Sequence, residues 1–150
     1  MAQLTEAECE QVLRRNGIGR LASYSPAMGE CYVVPVAYTY EPGALYFQLV
    51  PGQKLNYLDE HPAGVCFEVE EVHRGEDWTT VVVTGTFARV DQTAAASRGH
   101  RGDLRTIFDI GFTPFQPREL VVCRLDISRM SGQHDRWSWR TDAEKDGVST

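Results

Sequence analysis

Hydrophobic residues in this chain mostly fall at alternate positions, in runs separated by Gly, Pro, Asn and acidic turns. This is the period of half-buried strands rather than helices. Six runs are read as strands: Ile18–Tyr24, Cys31–Tyr40, Ala44–Val50, Gly64–Val72, Trp78–Val90 and Leu120–Ser128. Val65, Phe67 and Val69 alternate with Cys66, Glu68 and Glu70, which predicts one wet face, and Val121, Cys123, Leu125 and Ile127 share a face in the last run. Glu41-Pro42-Gly43 joins the second and third runs as a hairpin. Gly85, inside the longest β-branched run, predicts a bulge or bend of the kind a sheet needs to curl.

Helical patterns are short and marginal. Thr5 and Glu8 form a capping box, Leu4 and Cys9 staple across it, and Val12 and Leu13 continue the apolar face until Asn16-Gly17. Pro51-Gly52 ends the third strand, and Gln53-Lys54 opens a helix with Leu55 and Leu58 that stops at His61-Pro62. Asp91 to Gly111 reads as helical, interrupted at Gly99 and Gly102, with Leu104, Ile107 and Phe108 as a packing stripe. Six strands of the meander kind with helices at the margins predict a mainly β protein, a small antiparallel barrel.

Composition narrows this picture. A chain of 150 residues fits one domain, 1–150, with an ordered core over about 4–140 and a flexible C-terminal tail. A net charge of −6 argues against nucleic acid or an anionic membrane as partner, so any anion site is local. The N-terminus lacks a basic region and an apolar run, and no stretch approaches the length of a membrane span, so a cytoplasmic location is expected. Cys9, Cys31, Cys66 and Cys123 show no C-x-x-C spacing and read as buried thiols. The four histidines lack metal-ligand spacing, and neither G-x-S-x-G nor H-E-x-x-H occurs, which sets aside zinc and serine-hydrolase chemistry.

One feature carries candidate chemistry. Lys54 stands at a strand-to-helix junction, where free backbone N–H groups and the helix dipole favour an anion such as a phosphate. A solvated loop lysine is the competing reading, because G-x-K alone is a weak signal. Arg20 is expected first as a solvent-face residue and second as a ligand contact.

The order of the parts resembles the pyridoxamine 5'-phosphate oxidase-like FMN-binding split-barrel family, in its nitroimidazole-reductase-like branch. The resemblance lies in TEAECEQVLRRNGIGRLAS, YVVPVAY, ALYFQLVPGQKL, HPAGVCFEVEEV and WTTVVVTGTFARV, with SRMSG as a weaker echo. It implies a six-stranded antiparallel Greek-key split β-barrel with short flanking helices. It further implies an FMN-dependent oxidoreductase of the flavin-reductase type acting on a small organic acceptor. FAD, the deazaflavin F420 and haem are alternative cofactors, and a non-catalytic flavin- or haem-binding dimer is the alternative function. Backbone groups of Val34, Pro35, Val36 and Ala37 would run along the ring edge. Phe47, Gln48, Gln53 and Lys54 would meet the ribityl chain and phosphate, and Thr80 would add a polar side chain. A homodimer with the flavin at its interface is implied, with Trp137 or Met130 able to cover the ring. The resemblance also marks departures. Val34 and Thr39 stand where pyridoxamine-phosphate oxidases carry arginine and lysine, and Gln48 stands where the nitroimidazole-reductase branch often has histidine.

Overall fold

The structure, a computed structural model, describes residues 1–73, 77–90 and 120–136. In chain order the elements are β1 (Ala2–Gln3), α1 (Glu6–Arg15), β2 (Ile18–Ser25), β3 (Glu30–Glu41), β4 (Ala44–Leu49), α2 (Gln53–Glu60), β5 (Val65–His73), β6 (Asp77–Arg89) and β7 (Val121–Arg136). The helical reading of Asp91–Gly111, Trp137, Trp139 and the C-terminal tail lie outside the described residues.

All strand pairs are antiparallel. β2, β3 and β4 form one meander and β5, β6 and β7 another. β2–β5 and β4–β7 join them, and β6–β7 closes the ring. The connection from β4 through α2 returns the chain beside β2, so β5 lies next to the first strand of the preceding meander, the Greek-key order. The expected barrel is therefore present. Gly85 marks a bulge: Thr84 faces Arg129 and Gly85 faces Ile127, which leaves Ser128 unopposed. A β-carbon on Gly85 would stand 2.1 Å from the Asp126 carbonyl oxygen, so only glycine lets β6 and β7 approach there.

Two features depart from the sequence pattern. β7 does not stop at Ser128 but runs on to Arg136, because the long β6 supplies a paired edge out to Asp77↔Arg136. The two-residue β1 pairs with its far end at Ala2↔His134. Of the four cysteines, all free, Cys9 and Cys123 are buried as expected, Cys66 is half-buried and Cys31 is exposed. Strand alternation puts Cys31 opposite Tyr24 on the outer face.

The core fills the barrel from inward positions such as Leu21, Leu45, Phe67 and Leu125, and both helices add to it through Val12, Leu13, Leu55 and Leu58. Tyr38 packs edge-on to Phe67 at 5.0 Å, and its hydroxyl donates to the Leu13 carbonyl at 2.8 Å, tying α1 to the barrel. The capping box forms as read, with the Glu8 N–H donating to Thr5 Oγ1 at 3.2 Å and the Thr5 N–H to Glu8 Oε1. At the other end of α1, the buried Glu71 accepts from Arg15 Nη2 at 2.6 Å and Asn16 Nδ2 at 2.6 Å.

Candidate functional site

The barrel is split beside β3. β2 pairs with β3 from Glu30 to Ala37, whereas β4 meets it only from Tyr38 to Glu41. Among the described residues, the β4-side edge of β3 from Glu30 to Ala37 thus has no strand against it. The Tyr38 N–H donates to the Gly17 carbonyl at 2.9 Å, on the β2 side, and this fixes the direction of the alternating groups before it. Val36 and Val34 turn toward β2, while Ala37, Pro35 and Val33 turn toward the open edge. Pro35 loses no ladder bond there, since its missing N–H lies on the open side.

The N-terminus of α2 stands at the lower end of this edge. Its cap residue, Gly52, offers no side-chain acceptor, and its first turn carries no acid, so its leading N–H groups and dipole remain available to an anion. Lys54 is exposed, with Nζ 4.9 Å over the ring of Tyr32 on β3. By contrast, Arg15, Arg20, Arg89, Arg124 and Arg136 each pair with a carboxylate. Gln53 Nε2 donates to the Tyr57 hydroxyl at 2.7 Å, which donates to Met28 Sδ at 2.9 Å, and this relay orients Gln53 at the head of the helix.

Above the helix, the outer face of the β3–β4 hairpin holds Thr39 opposite Tyr46, with Gln48 two residues along β4. Gln48 is 6% exposed, yet among the described residues its Oε1 has no hydrogen-bond partner. Thr39 Oγ1 is also buried without one, and Arg124 Nε, opposite Tyr46 and beside Asp126, likewise lacks a well-directed hydrogen bond. A cleft of about 330 Å³ lies elsewhere, between α1 and β7, lined by Leu4, Cys9, Ile127 and Met130 among others. Its lining includes no unpartnered buried side-chain polar atom, so the chemistry points to the β3 edge instead.

A sequence model of pyridoxamine 5'-phosphate oxidase matches residues 5–134. The chain belongs to the pyridoxamine 5'-phosphate oxidase family. A FAD-binding protein from Mesorhizobium loti is similar in structure, with 28% identity and a TM-score of 0.78 over 91% of this chain and 98% of that one. The FAD-binding protein from Mycobacterium smegmatis shares the fold at 19% identity and TM-score 0.68, covering 91% of this chain and 100% of that one. A heme-binding protein from the same organism shares it at 17% identity and TM-score 0.65, covering 92% of this chain and 60% of that one. In sequence the chain is 29% identical over 90 residues to an uncharacterized Rhizobium meliloti protein, a match spanning 60% of this chain and 58% of that protein.

In this member of the pyridoxamine 5'-phosphate oxidase family, the expected site residues fall into three groups. Pro35 and Ala37 present backbone groups to the open edge, and Gln48, Gln53 and Lys54 lie along the hairpin face and helix head. Val34, Val36 and Phe47 point inward: Phe47 is wholly buried, stacked with Phe67 at a ring separation of 6.4 Å, so its side chain supports the wall from behind. Thr80 is the outlier. It lies on the outer face of β6, beyond β2 and β5, where its hydroxyl donates to Glu68 Oε1 at 3.0 Å. Glu68 also accepts from Arg20 Nε at 2.8 Å, so Arg20 is half-buried in an ion pair rather than simply solvated. Met130 faces inward opposite Val83 and packs against the core. Sequence reasoning did not single out Tyr32 as a site residue, for its contact with Lys54 depends on where α2 docks.

Proposed function

We propose that the protein is a flavin-nucleotide oxidoreductase, with FMN as cofactor, that acts on a small organic acceptor. The carrying observation is the uncapped head of α2 with Lys54, a cation held over Tyr32 and paired with no carboxylate among the described residues, at the end of an open backbone edge. These residues fit such a cofactor. The helix head and Lys54 suit a phosphate, and the carbonyls and N–H groups of Val33, Pro35 and Ala37 suit the polar rim of a flat heterocycle. A bound flavin supplies hydride or electron transfer itself, so the chain needs no acid or nucleophile there. Its residues hold the phosphate, align the ring along β3 and exclude water from one face. The resemblance to the Mesorhizobium loti FAD-binding protein makes FAD the alternative to test beside FMN, followed by F420 and haem.

A homodimer with the flavin at its interface completes this reading. The outer face of the sheet exposes Ile18, Tyr24, Val33, Val72 and Val82, an apolar surface that a second copy would cover. A second copy could also bring Thr80 to the β3 edge, which one chain does not. We read the protein as cytoplasmic; no helix among the described residues is long and apolar enough to cross a membrane.

The test is direct. Purified protein should be yellow or take up added FMN, and Lys54→Ala should weaken FMN binding at least about tenfold, as loss of one charge-assisted phosphate contact implies. Failure to bind FMN or FAD overturns the proposal. A non-catalytic flavin-binding dimer is the second reading, favoured by Gln48, which cannot protonate as a histidine does. Steady oxidation of reduced nicotinamide with any acceptor decides against it.

A further inference from the structure

Backbone contacts fix both ends of the cleft between α1 and β7. At one end the Leu4 N–H donates to the Gly132 carbonyl at 2.9 Å, and a β-carbon on Gly132 would stand 2.7 Å from Cys9 Sγ, so a side chain there would press α1 away from β7. At the other end the Ile127 N–H donates to the Gly43 carbonyl at 2.9 Å, which draws the tip of the β3–β4 hairpin onto β7. About 330 Å³ stays open between them, the size of a small-molecule site. A regular strand turns only every second residue to one side, yet Ile127, Ser128, Arg129 and Met130 all line this cleft. The bulge opposite Gly85 is the cause: Ser128 is the unopposed residue, held by its hydroxyl donating to the Thr84 carbonyl at 2.9 Å.

Leu4, Cys9, Ile127 and Met130 make the floor apolar, and burial raises the Cys9 pKa, which keeps that thiol neutral. The two walls carry charges of opposite sign. Glu6 and Glu10 stand one turn apart on α1, and the exposed Arg129 stands on β7. Among the described residues none of these three belongs to an ion pair. Arg14, which could meet Glu10 along the helix, lies instead over the ring of Tyr40 at 4.9 Å. Tyr40 also lines the cleft, and burial, then the Glu10 carboxylate near it, raises its pKa, so its hydroxyl stays protonated.

We propose that this cleft is a second binding site, apart from the β3 edge, and that it takes an apolar α-amino acid as its zwitterion. The ligand ammonium meets Glu6 and Glu10, its carboxylate meets Arg129, and its side chain lies on the apolar floor. Cys9 and Met130 put two sulfurs in that floor, which favours an aromatic ring. A simple amine leaves Arg129 unmatched, and a simple carboxylate is set against two acids, so neither satisfies both walls. No residue of the β3 edge from 30 to 37, or of α2, lines the cleft, so the assignment does not rest on the flavin reading.

The experiment uses L-phenylalanine, phenethylamine and hydrocinnamate, which share a ring and differ in charge, with calorimetric binding to the full chain. L-Phenylalanine should bind wild type at least about tenfold more tightly than either analogue. In Arg129→Gln it should bind no better than phenethylamine, and in the double variant Glu6→Gln, Glu10→Gln no better than hydrocinnamate. Arg129→Gln should keep its Tm within about 3 °C of wild type, because the guanidinium has no ion pair to lose. No binding of L-phenylalanine at millimolar concentration, equal binding of either analogue, or a preference that survives Arg129→Gln overturns the proposal. So does a larger fall in Tm, which would mean that Arg129 is partnered within the fold. L-Phenylalanine should bind equally well before and after FMN is added, and displacement of one by the other would put both in one site and overturn the assignment. A protein that takes up no flavin ends the oxidoreductase reading, while the calorimetry on flavin-free protein still decides this one.

Discussion

Glu71 offers the sharpest check on how the barrel is held together. Its carboxylate, 9% exposed at the inner end of β5, receives Arg15 and Asn16 from the end of α1, and His73 Nε2 lies 3.4 Å away. The Arg15 hydrogen bond, reinforced by Asn16 and opposed by burial, holds its pKa down at about 2 against an ordinary 4.5. That depression corresponds to about 3 kcal/mol of native-state stability at neutral pH. Because the folded pKa lies below the unfolded one, the contribution is complete above the ordinary carboxylate range and is lost as pH falls toward 2. Glu71→Gln should therefore lower unfolding free energy by about 3 kcal/mol at pH 7, and by only about 1 kcal/mol at pH 3. Arg15, half exposed, can return its freed charge to water, which keeps the loss near the lower end for a broken buried pair. Urea unfolding of both proteins at the two pH values measures this. A loss below about 1 kcal/mol at pH 7, or one equal at both pH values, refutes the reasoning.

The same urea assay tests three further sites. Gly19→Ala would place a β-carbon 2.1 Å from Phe67 Cε1 and 2.7 Å from the Glu68 carbonyl oxygen, and should cost about 3 kcal/mol by overpacking; a neutral result would mean β2 and β5 are not in such close contact. Tyr38→Phe removes the hydroxyl that donates to the Leu13 carbonyl and should cost about 1 kcal/mol, with no change in ring packing. Thr5→Ala opens the capping box of α1 and should also cost about 1 kcal/mol, largely recovered by Thr5→Ser.

Much of the fold was legible because most strands have one wet and one dry face. Val65, Phe67 and Val69 against Cys66, Glu68 and Glu70 leave little choice of element or orientation. That logic fails in the second half of β7. From Arg129 to Arg136 the sequence is polar on both faces, with Met130, Gly132 and His134 turned inward, so no alternation announces a strand. The pairing is imposed by β6, whose β-branched length was visible but whose partner was not. β1 was out of reach for a simpler reason: a two-residue strand has no period.

The site was legible where a residue breaks a local rule. Proline inside a strand is tolerated only where its nitrogen faces no partner, and Pro35 within YVVPVAY obeys that rule, yet the sequence reading named it only through the family resemblance; the register of β2 and β3 is what shows the open edge and its direction. Lys54 gave a weaker signal that became useful only once α2 had no cap and no acid in its first turn. Gln48 could not be read in this way. In LYFQL an alternating glutamine looks like an ordinary wet-face residue, and only its near-complete burial without a partner shows otherwise. Pro35 and Gln48 are then exceptions of one physical kind, a missing backbone donor and an unmatched side-chain acceptor, on adjoining parts of one hairpin.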